Sequence, residues 1–183
     1  MKMLVVSDTH RFTDRTEEIY RSLEGIDLLV HLGDHRADAE KIGSDLGVPF
    51  IAVRGNCDGA MTKEESETVL DTDFGPILLT HGHMYGVYYD PLKLLYTCQE
   101  RGYKAAFFGH THQAFTTVMD GVRLMNPGSL TNPRDGSSGS YGIAVAEKNS
   151  LACTIHYCGE SAAPKKKARG GFLRGIMNYS DGQ

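Results

Sequence analysis

Phe107-Phe108-Gly109-His110-Thr111-His112 is the stretch around which the rest of the chain is organised. Its two aromatic residues end an apolar run, a glycine follows, and two histidines come next with one residue between them. A His-x-His pair alone is a weak signal, because such pairs also occur by chance in loops. Four other apolar runs also end in residues that bind metal ions, at Ser7-Asp8-Thr9-His10, Gly33-Asp34, Gly55-Asn56-Cys57-Asp58 and Thr80-His81-Gly82-His83. Five such clusters together indicate a functional site.

The apolar runs also predict the fold class. Residues 3–6, 27–32 and 50–53 read as buried strands, and residues 13–23 and 37–46 have the spacing of helices. This early order predicts parallel strands joined by right-handed crossovers. Later runs predict hairpins at 67–80, 114–125 and 141–157, a helix at 91–101 and a buried strand at 105–108. Together they predict an α/β fold in which two sheets pack face to face with helices outside.

Length and charge bound the organisation of the chain. A chain of 183 residues suits one domain with a full core. We expect that domain at residues 1–163 and a mobile basic tail at 164–183. The tail carries a net charge of +4, so the other 163 residues carry −8. This acidic body argues against nucleic acid as a partner.

Apolar segments and cysteines indicate the cellular compartment. No apolar run approaches the roughly 20 residues that span a bilayer, so no membrane partner is expected. The apolar run that starts at Met3 is too short for the core of a signal peptide. We therefore expect a cytoplasmic protein. The four cysteines show no CxxC spacing, so reduced thiols are expected rather than a disulfide framework.

The polar residues after the apolar runs predict a pair of divalent ions. Sites in open α/β sheets form beyond the carboxyl ends of the strands. The candidate ligands are Asp8, His10, Asp34, Asn56, His81, His110 and His112. Imidazole and carboxylate without thiolate favour manganese first, with iron, zinc, nickel and cobalt as alternatives. Asp34 is the natural bridge, because a carboxylate offers one oxygen to each ion. Two ions about 3.5–4 Å apart make hydroxide available at neutral pH, which points to phosphate ester hydrolysis.

These motifs resemble the metallophosphoesterase (calcineurin-like phosphoesterase) family, and in particular its small bacterial and archaeal phosphodiesterases. The resemblance extends from residue 1 to about residue 157 and includes Asn126-Pro127-Gly128-Ser129. It implies a four-layer α/β/β/α sandwich of two mixed sheets flanked by helices. It also implies one ion bound by Asp8, His10, Asp34 and His112, and a second bound by Asp34, Asn56, His81 and His110.

One position departs from the wider family. Many members carry a histidine after the residue that matches Asn56, and that histidine is thought to protonate the leaving group; this chain has Cys57. We therefore expect a preference for diesters with good leaving groups, unless His83 or a metal-bound water acts as the acid. Arg11 and Arg134 are candidates for binding the substrate phosphate, with a solvated arginine as the alternative.

The predicted activity is hydrolysis of small phosphate diesters by a hydroxide that bridges the two ions. Two alternatives share the fold: a phosphomonoesterase or nucleotidase, and a non-catalytic protein-interaction scaffold like the sorting-complex subunit of this family. A homodimer is the default expectation for a small enzyme.

The other polar residues near these motifs are predicted to have supporting roles. His31 is predicted to be a hydrogen-bonded core residue. His35 and His156 are predicted to lie on the surface or in packing contacts. Asp38 and Asp58 are predicted either to orient ligands or to be solvated.

Overall fold

Two five-stranded sheets form the centre of the computed structural model, which describes residues 1–59 and 65–159. In chain order the elements are β1 (Lys2–Val6), α1 (Asp14–Ser22), β2 (Leu28–His31), α2 (Arg36–Leu46), β3 (Phe50–Ala52), β4 (Glu67–Thr72), β5 (Gly75–Thr80), the 3₁₀ turn His83–Tyr85, α3 (Leu92–Arg101), β6 (Ala105–Phe108), β7 (Ala114–Met119), β8 (Val122–Pro127), β9 (Ser140–Glu147) and β10 (Ser150–Tyr157). None of the helices in the described ranges has the length and the hydropathy that a membrane span requires.

Both sheets combine parallel and antiparallel pairs. The first has the order β10-β9-β1-β2-β3, in which β1, β2 and β3 are parallel, β9 is antiparallel to β1 and β10 is antiparallel to β9. The second has the order β4-β5-β6-β8-β7, with a parallel centre of β5, β6 and β8 and a hairpin at each edge. The predicted parallel start and the three predicted hairpins are therefore confirmed.

Alternation along the central strands produces the layers. In β1, Met3 and Val5 point into the core between the sheets, where Phe107 of β6 also lies. Leu4, the residue between them, packs instead with Ile42 of α2. The next residue of β6, Phe108, likewise packs on the α3 side of the second sheet. Helices therefore cover the outer face of each sheet, and the predicted four-layer α/β/β/α sandwich is confirmed.

The structure contains one short element that the sequence prediction lacked. The 3₁₀ turn that begins at His83 was not predicted, because three residues show no periodicity. Gly47 closes α2 in the left-handed conformation, which is typical of glycine at the end of a helix. The last described strand ends at Tyr157. The predicted boundary at residue 163 and the basic tail at 164–183 lie outside the described residues.

Candidate metal centre

The loops after five strands meet at one end of the sandwich, and backbone hydrogen bonds hold them together. The Asp8 N–H donates to the Gly33 carbonyl at 3.0 Å, which joins the loops after β1 and β2. The Gly109 N–H donates to the His81 carbonyl at 3.1 Å, which joins the loops after β6 and β5. Across the two sheets, His81 Nδ1 lies 2.7 Å from the Leu32 carbonyl oxygen. The centre is therefore shared by both sheets.

One group of ligand atoms comes from Asp8, His10, Asp34 and His112, and these atoms all lie within 4.8 Å of one another. His112 Nε2 is 3.2 Å from Asp8 Oδ1 and 3.4 Å from His10 Nε2. His10 Nε2 is also 3.9 Å from Asp34 Oδ2. The four residues are those that the family resemblance implies for one ion.

A second group surrounds His81. Its Nε2 lies 3.1 Å from Asn56 Oδ1 and 3.3 Å from Asp34 Oδ1. The ring of His110 is 5.2 Å from the ring of His81, measured between centroids. Asp34 thus turns one carboxylate oxygen towards each group, which is the arrangement that a bridging carboxylate requires.

The donor chemistry of the centre fits cations. His112 Nδ1 lies 2.7 Å from the Asn132 carbonyl and His81 Nδ1 lies 2.7 Å from the Leu32 carbonyl, and carbonyls only accept hydrogen bonds. The Nδ1 atoms therefore carry the protons, and in the neutral rings both Nε2 lone pairs face other acceptors. Asp8 Oδ1 is buried without a hydrogen-bond partner. Facing acceptors of this kind need a positive charge between them, and the set of donors suits a divalent transition metal.

Burial favours the neutral form of three histidines at the centre. It is the largest cause that lowers the pKa of His10, His83 and His110 below the usual value. Burial also lowers the pKa of His112, but the Asp8 carboxylate more than offsets this, so the net pKa is raised. Neutral imidazole is the form that binds metal ions, so His10 and His110 are in that form at neutral pH.

Three glycines make room for the ligand loops. A Cβ on Gly109 would overlap Ser7 Oγ and lie 3.0 Å from Asp8 Oδ2. A Cβ on Gly55 would overlap Asp34, and a Cβ on Gly33 would lie 2.7 Å from His81 Nδ1. The ligands can approach one another only because these positions lack side chains.

The loop backbone is also unusual. Among the described residues, eight that are not glycine have a positive φ, and seven of them belong to the centre or adjoin it: Asp8, His10, Arg11, Asp34, His35, His110 and His112. The left-handed region is rarely used by residues other than glycine, and such residues cluster at functional sites.

A buried hydrogen-bond chain supports the loop after β1. The Gly33 N–H donates to His31 Nδ1, so His31 Nε2 carries the proton and donates to Thr9 Oγ1 at 2.9 Å. Thr9 in turn donates to Asp38, which also accepts from the Arg11 N–H at 2.8 Å. His31 is fully buried, so its prediction as a hydrogen-bonded core residue is confirmed. Burial lowers its pKa to about 4.

Replacing Thr9 with valine is expected to destabilise the protein by about 1–3 kcal/mol, because His31 and Asp38 would each lose a buried partner. Urea unfolding measures the change. The matched control is Thr116→Val at an exposed position of β7, which we expect to change stability by about 0.5 kcal/mol or less. An unchanged urea midpoint for Thr9→Val would show that this chain of hydrogen bonds contributes nothing to the stability of the protein.

Asp38 and Asp58 act on the backbone. Neither is merely solvated, and neither is seen to bind a ligand histidine. Asp38 binds the Arg11 N–H and the Thr9 hydroxyl, whereas Asp58 accepts from the Gly55 N–H at 2.7 Å and from the Arg36 N–H at 2.8 Å. They shape the loops that carry the ligands.

The sequence prediction assigned no role to two further residues. Asn126 is fully buried and donates through Nδ2 to the Gly109 carbonyl at 2.8 Å and to Thr111 Oγ1 at 3.0 Å. Ser129 donates to the Asp8 carbonyl at 2.9 Å. Their signal was the Asn126-Pro127-Gly128-Ser129 stretch, which carried the resemblance without indicating what these side chains bind.

The remaining candidates lie around the ligand groups. The His83 ring is 5.3 Å from that of His81, and His83 Nδ1 is buried without a hydrogen-bond partner. Arg11 and Arg134 are exposed, and the Arg134 N–H donates to the His112 carbonyl at 2.9 Å. The structure therefore brings both arginines near the centre through their backbones.

Two histidines predicted to be surface or packing residues make ring contacts. His35 packs edge-on against His10, with 5.5 Å between ring centroids, so it borders the centre. His156 stacks on Tyr141, with 5.2 Å between centroids.

Cys57 is exposed at its surface. Partial burial of its sulfur and, secondly, the nearby Asp34 carboxylate raise the pKa of Cys57 to about 11. Cys57 is therefore a thiol at neutral pH.

The chain is similar to known proteins in sequence and in fold. The family model described as "Calcineurin-like phosphoesterase superfamily domain" matches residues 1–149. "Probable metallophosphoesterase YsnB" of Bacillus subtilis is 32% identical over 158 residues, covering 86% of this chain and 90% of the relative. "Phosphodiesterase YfcE" of Escherichia coli is 28% identical over 167 residues, covering 78% of this chain and 86% of the relative. The crystal structure of Chaetomium thermophilum Vps29 has the same fold, with a TM-score of 0.71 and 18% sequence identity. The similarity covers 86% of this chain and 87% of Vps29.

Proposed function

Because this chain belongs to the calcineurin-like phosphoesterase superfamily, we propose that it is a metal-dependent phosphodiesterase with a two-metal centre. The proposal depends mainly on the position of Asp34, whose Oδ2 faces His10 and whose Oδ1 faces His81. A relative bears the name of a phosphodiesterase, which supports a diester as the substrate. Manganese is the metal that we propose first.

The proposed ligands follow the two groups of side chains. Asp8, His10, Asp34 and His112 would hold one ion, and Asp34, Asn56, His81 and His110 would hold the other. When bound, such a pair makes hydroxide available from water at neutral pH and neutralises charge on the phosphoryl oxygens. The hydrogen bonds from Ser7 and the His110 N–H fix Asp8 Oδ2, at 2.6 and 3.0 Å, and leave Oδ1 free for an ion.

The phosphate would be oriented by residues at the edge of the centre. Asn56 is exposed, and His83 has an unused Nδ1, so both are proposed to contact a phosphoryl oxygen or the leaving oxygen. Arg11 and Arg134 are exposed cations close by, and we propose that they bind the substrate from the solvent side.

The proposal is tested with chelator-treated protein in the presence and absence of Mn²⁺. We expect hydrolysis of bis-p-nitrophenyl phosphate that depends on added metal and exceeds hydrolysis of p-nitrophenyl phosphate in kcat/KM. Faster hydrolysis of the monoester would favour the phosphomonoesterase alternative. Metal binding without hydrolysis of either ester would favour the scaffold alternative. Light scattering on the same sample tests the expectation of a homodimer.

Cys57 leads to a prediction about leaving groups. Because a thiol with a pKa of about 11 is a poor acid, the leaving oxygen must depart without protonation from this position. We expect kcat/KM for diphenyl phosphate to be at least about a hundredfold below that for bis-p-nitrophenyl phosphate. Cys57→His is expected to reduce the difference in kcat/KM between the two esters. The control Cys57→Ser adds no acid and is expected to leave this difference unchanged. Equal rates on both esters for the wild type would contradict the prediction.

A further inference from the structure

An apolar groove opens beside the candidate metal centre. It has a volume of about 250 Å³ and is lined by Val87, Tyr88, Pro91, Phe108 and Phe115. Thr111 and Gln113 supply polar groups at its wall. Phe108 is 3% exposed and Val87 is 6% exposed, so they form its floor, whereas Tyr88 is 55% exposed and stands at its rim.

The groove is continuous with the centre. Thr111 lies between the ligand candidates His110 and His112 and also lines the groove. The ring of Tyr88 is 6.3 Å from the ring of His110, measured between centroids. A phosphate held at the metal centre would therefore have one of its substituents directed towards the groove.

The lining of the groove indicates the chemistry of that substituent. None of the residues that line it carries a charge, so a neutral group is favoured. Phe108 and Phe115 present tilted rings 6.1 Å apart, and Tyr88 adds a third ring. Aromatic rings prefer offset or edge-to-face neighbours of this kind. A volume of 250 Å³ is below the usual range of about 300–1,000 Å³ for a whole ligand, so the groove suits one ring system.

We propose that this groove binds an aromatic ring carried by one substituent of the substrate phosphate, and that Tyr88 closes the outer side of the bound ring. The inference rests on the proposed function, because it assumes that the neighbouring centre holds a phosphate. It narrows the substrate class to phosphodiesters with an aryl or nucleobase substituent. Tyr88 and Phe115 then determine specificity, while the metal ligands do not.

The test uses phosphonates, which the enzyme does not hydrolyse and which carry a single substituent. Isothermal titration measures binding of phenylphosphonate, cyclohexylphosphonate and methylphosphonate to Mn²⁺-loaded protein. The variants are Tyr88→Ala and its matched control Tyr89→Ala, which removes the adjacent ring; Tyr89 is 83% exposed and does not line the groove. Ribose 5-phosphate and adenosine 5′-monophosphate form a second pair of probes that differ by the nucleobase.

We expect phenylphosphonate to bind at least about tenfold more tightly than methylphosphonate, since the groove buries the ring. This ratio should fall at least about threefold in Tyr88→Ala and stay unchanged in Tyr89→Ala. A matching preference for adenosine 5′-monophosphate over ribose 5-phosphate would assign the groove to nucleobases, and its absence would assign it to simple aryl esters.

Two results would overturn the inference alone. One is equal binding of the phenyl and methyl compounds, and the other is equally tight binding of the cyclohexyl and phenyl compounds, which would remove the aromatic assignment. Failure of every phosphonate to bind to protein that holds Mn²⁺ is a different outcome. It would overturn the proposed function, and this inference with it.

Discussion

Replacing Asp34 with asparagine is expected to lower kcat/KM for bis-p-nitrophenyl phosphate at least about a hundredfold. Asp34 faces both ligand groups with different oxygens, since Oδ2 lies 3.9 Å from His10 Nε2 and Oδ1 lies 3.3 Å from His81 Nε2. Asparagine is the appropriate substitute, because Asp34 has a φ of 56° and asparagine tolerates this left-handed conformation. The amide keeps the size of the side chain but removes its negative charge.

The same variant separates loss of metal binding from loss of folding. In chelator, Asp34→Asn should melt at the wild-type temperature or above it, because removing one charge relieves repulsion among facing acceptors. On addition of Mn²⁺ the wild type should gain thermal stability and the variant should gain less. The control is Asp71→Asn at an exposed position of β4, which removes an equal charge. Wild-type activity in Asp34→Asn would refute the bridging role.

Gly109→Ala is expected to lower kcat/KM by about a hundredfold, because the new methyl group would overlap Ser7 and press on Asp8. Gly109 is not among the glycines with a positive φ, so its backbone accepts alanine and the effect is steric. Overpacking of this kind typically costs about 1–3 kcal/mol in stability. Steady-state kinetics and urea unfolding measure the two effects on one preparation.

Gly121→Ala is the control for that loss of stability. Gly121 has a φ of +80°, and a Cβ there would meet nothing within 4 Å. The strained backbone should cost about 1–2 kcal/mol while kcat/KM stays at the wild-type value. If Gly109→Ala kept its activity, the loops around Asp8 would have to be more adaptable than their close contacts indicate.

The sequence predicted the fold because its periodicities are local. Runs such as residues 105–108 lie buried on both faces, and β6 covers the predicted range. What the sequence could not predict is the division of the ligands between two sheets. Asp8 and Asp34 follow strands of the first sheet, whereas His81 and His110 follow strands of the second. Strand order depends on long-range pairing, which no local pattern records.

The contacts that surround the candidate centre could not be predicted from the sequence. His35 contacts His10 only because the loop after β2 turns back in the left-handed conformation. The role of Asn126 depends on a side chain that reaches a loop 17 residues earlier in the chain. The aromatic groove likewise joins Tyr88 and Phe115, which are distant in sequence. Each of these is a tertiary contact without a spacing rule.

The positive φ angles at the ligand loops restrict how this centre can be redesigned or can diverge. Aspartate, asparagine and histidine are both metal ligands and the residues that enter the left-handed region most readily. Glutamate or cysteine at position 10, 34 or 112 would bring its donor atom at the cost of a less favourable backbone. A library that aims at a new metal should therefore exchange histidine, aspartate and asparagine among these positions before it introduces other ligands.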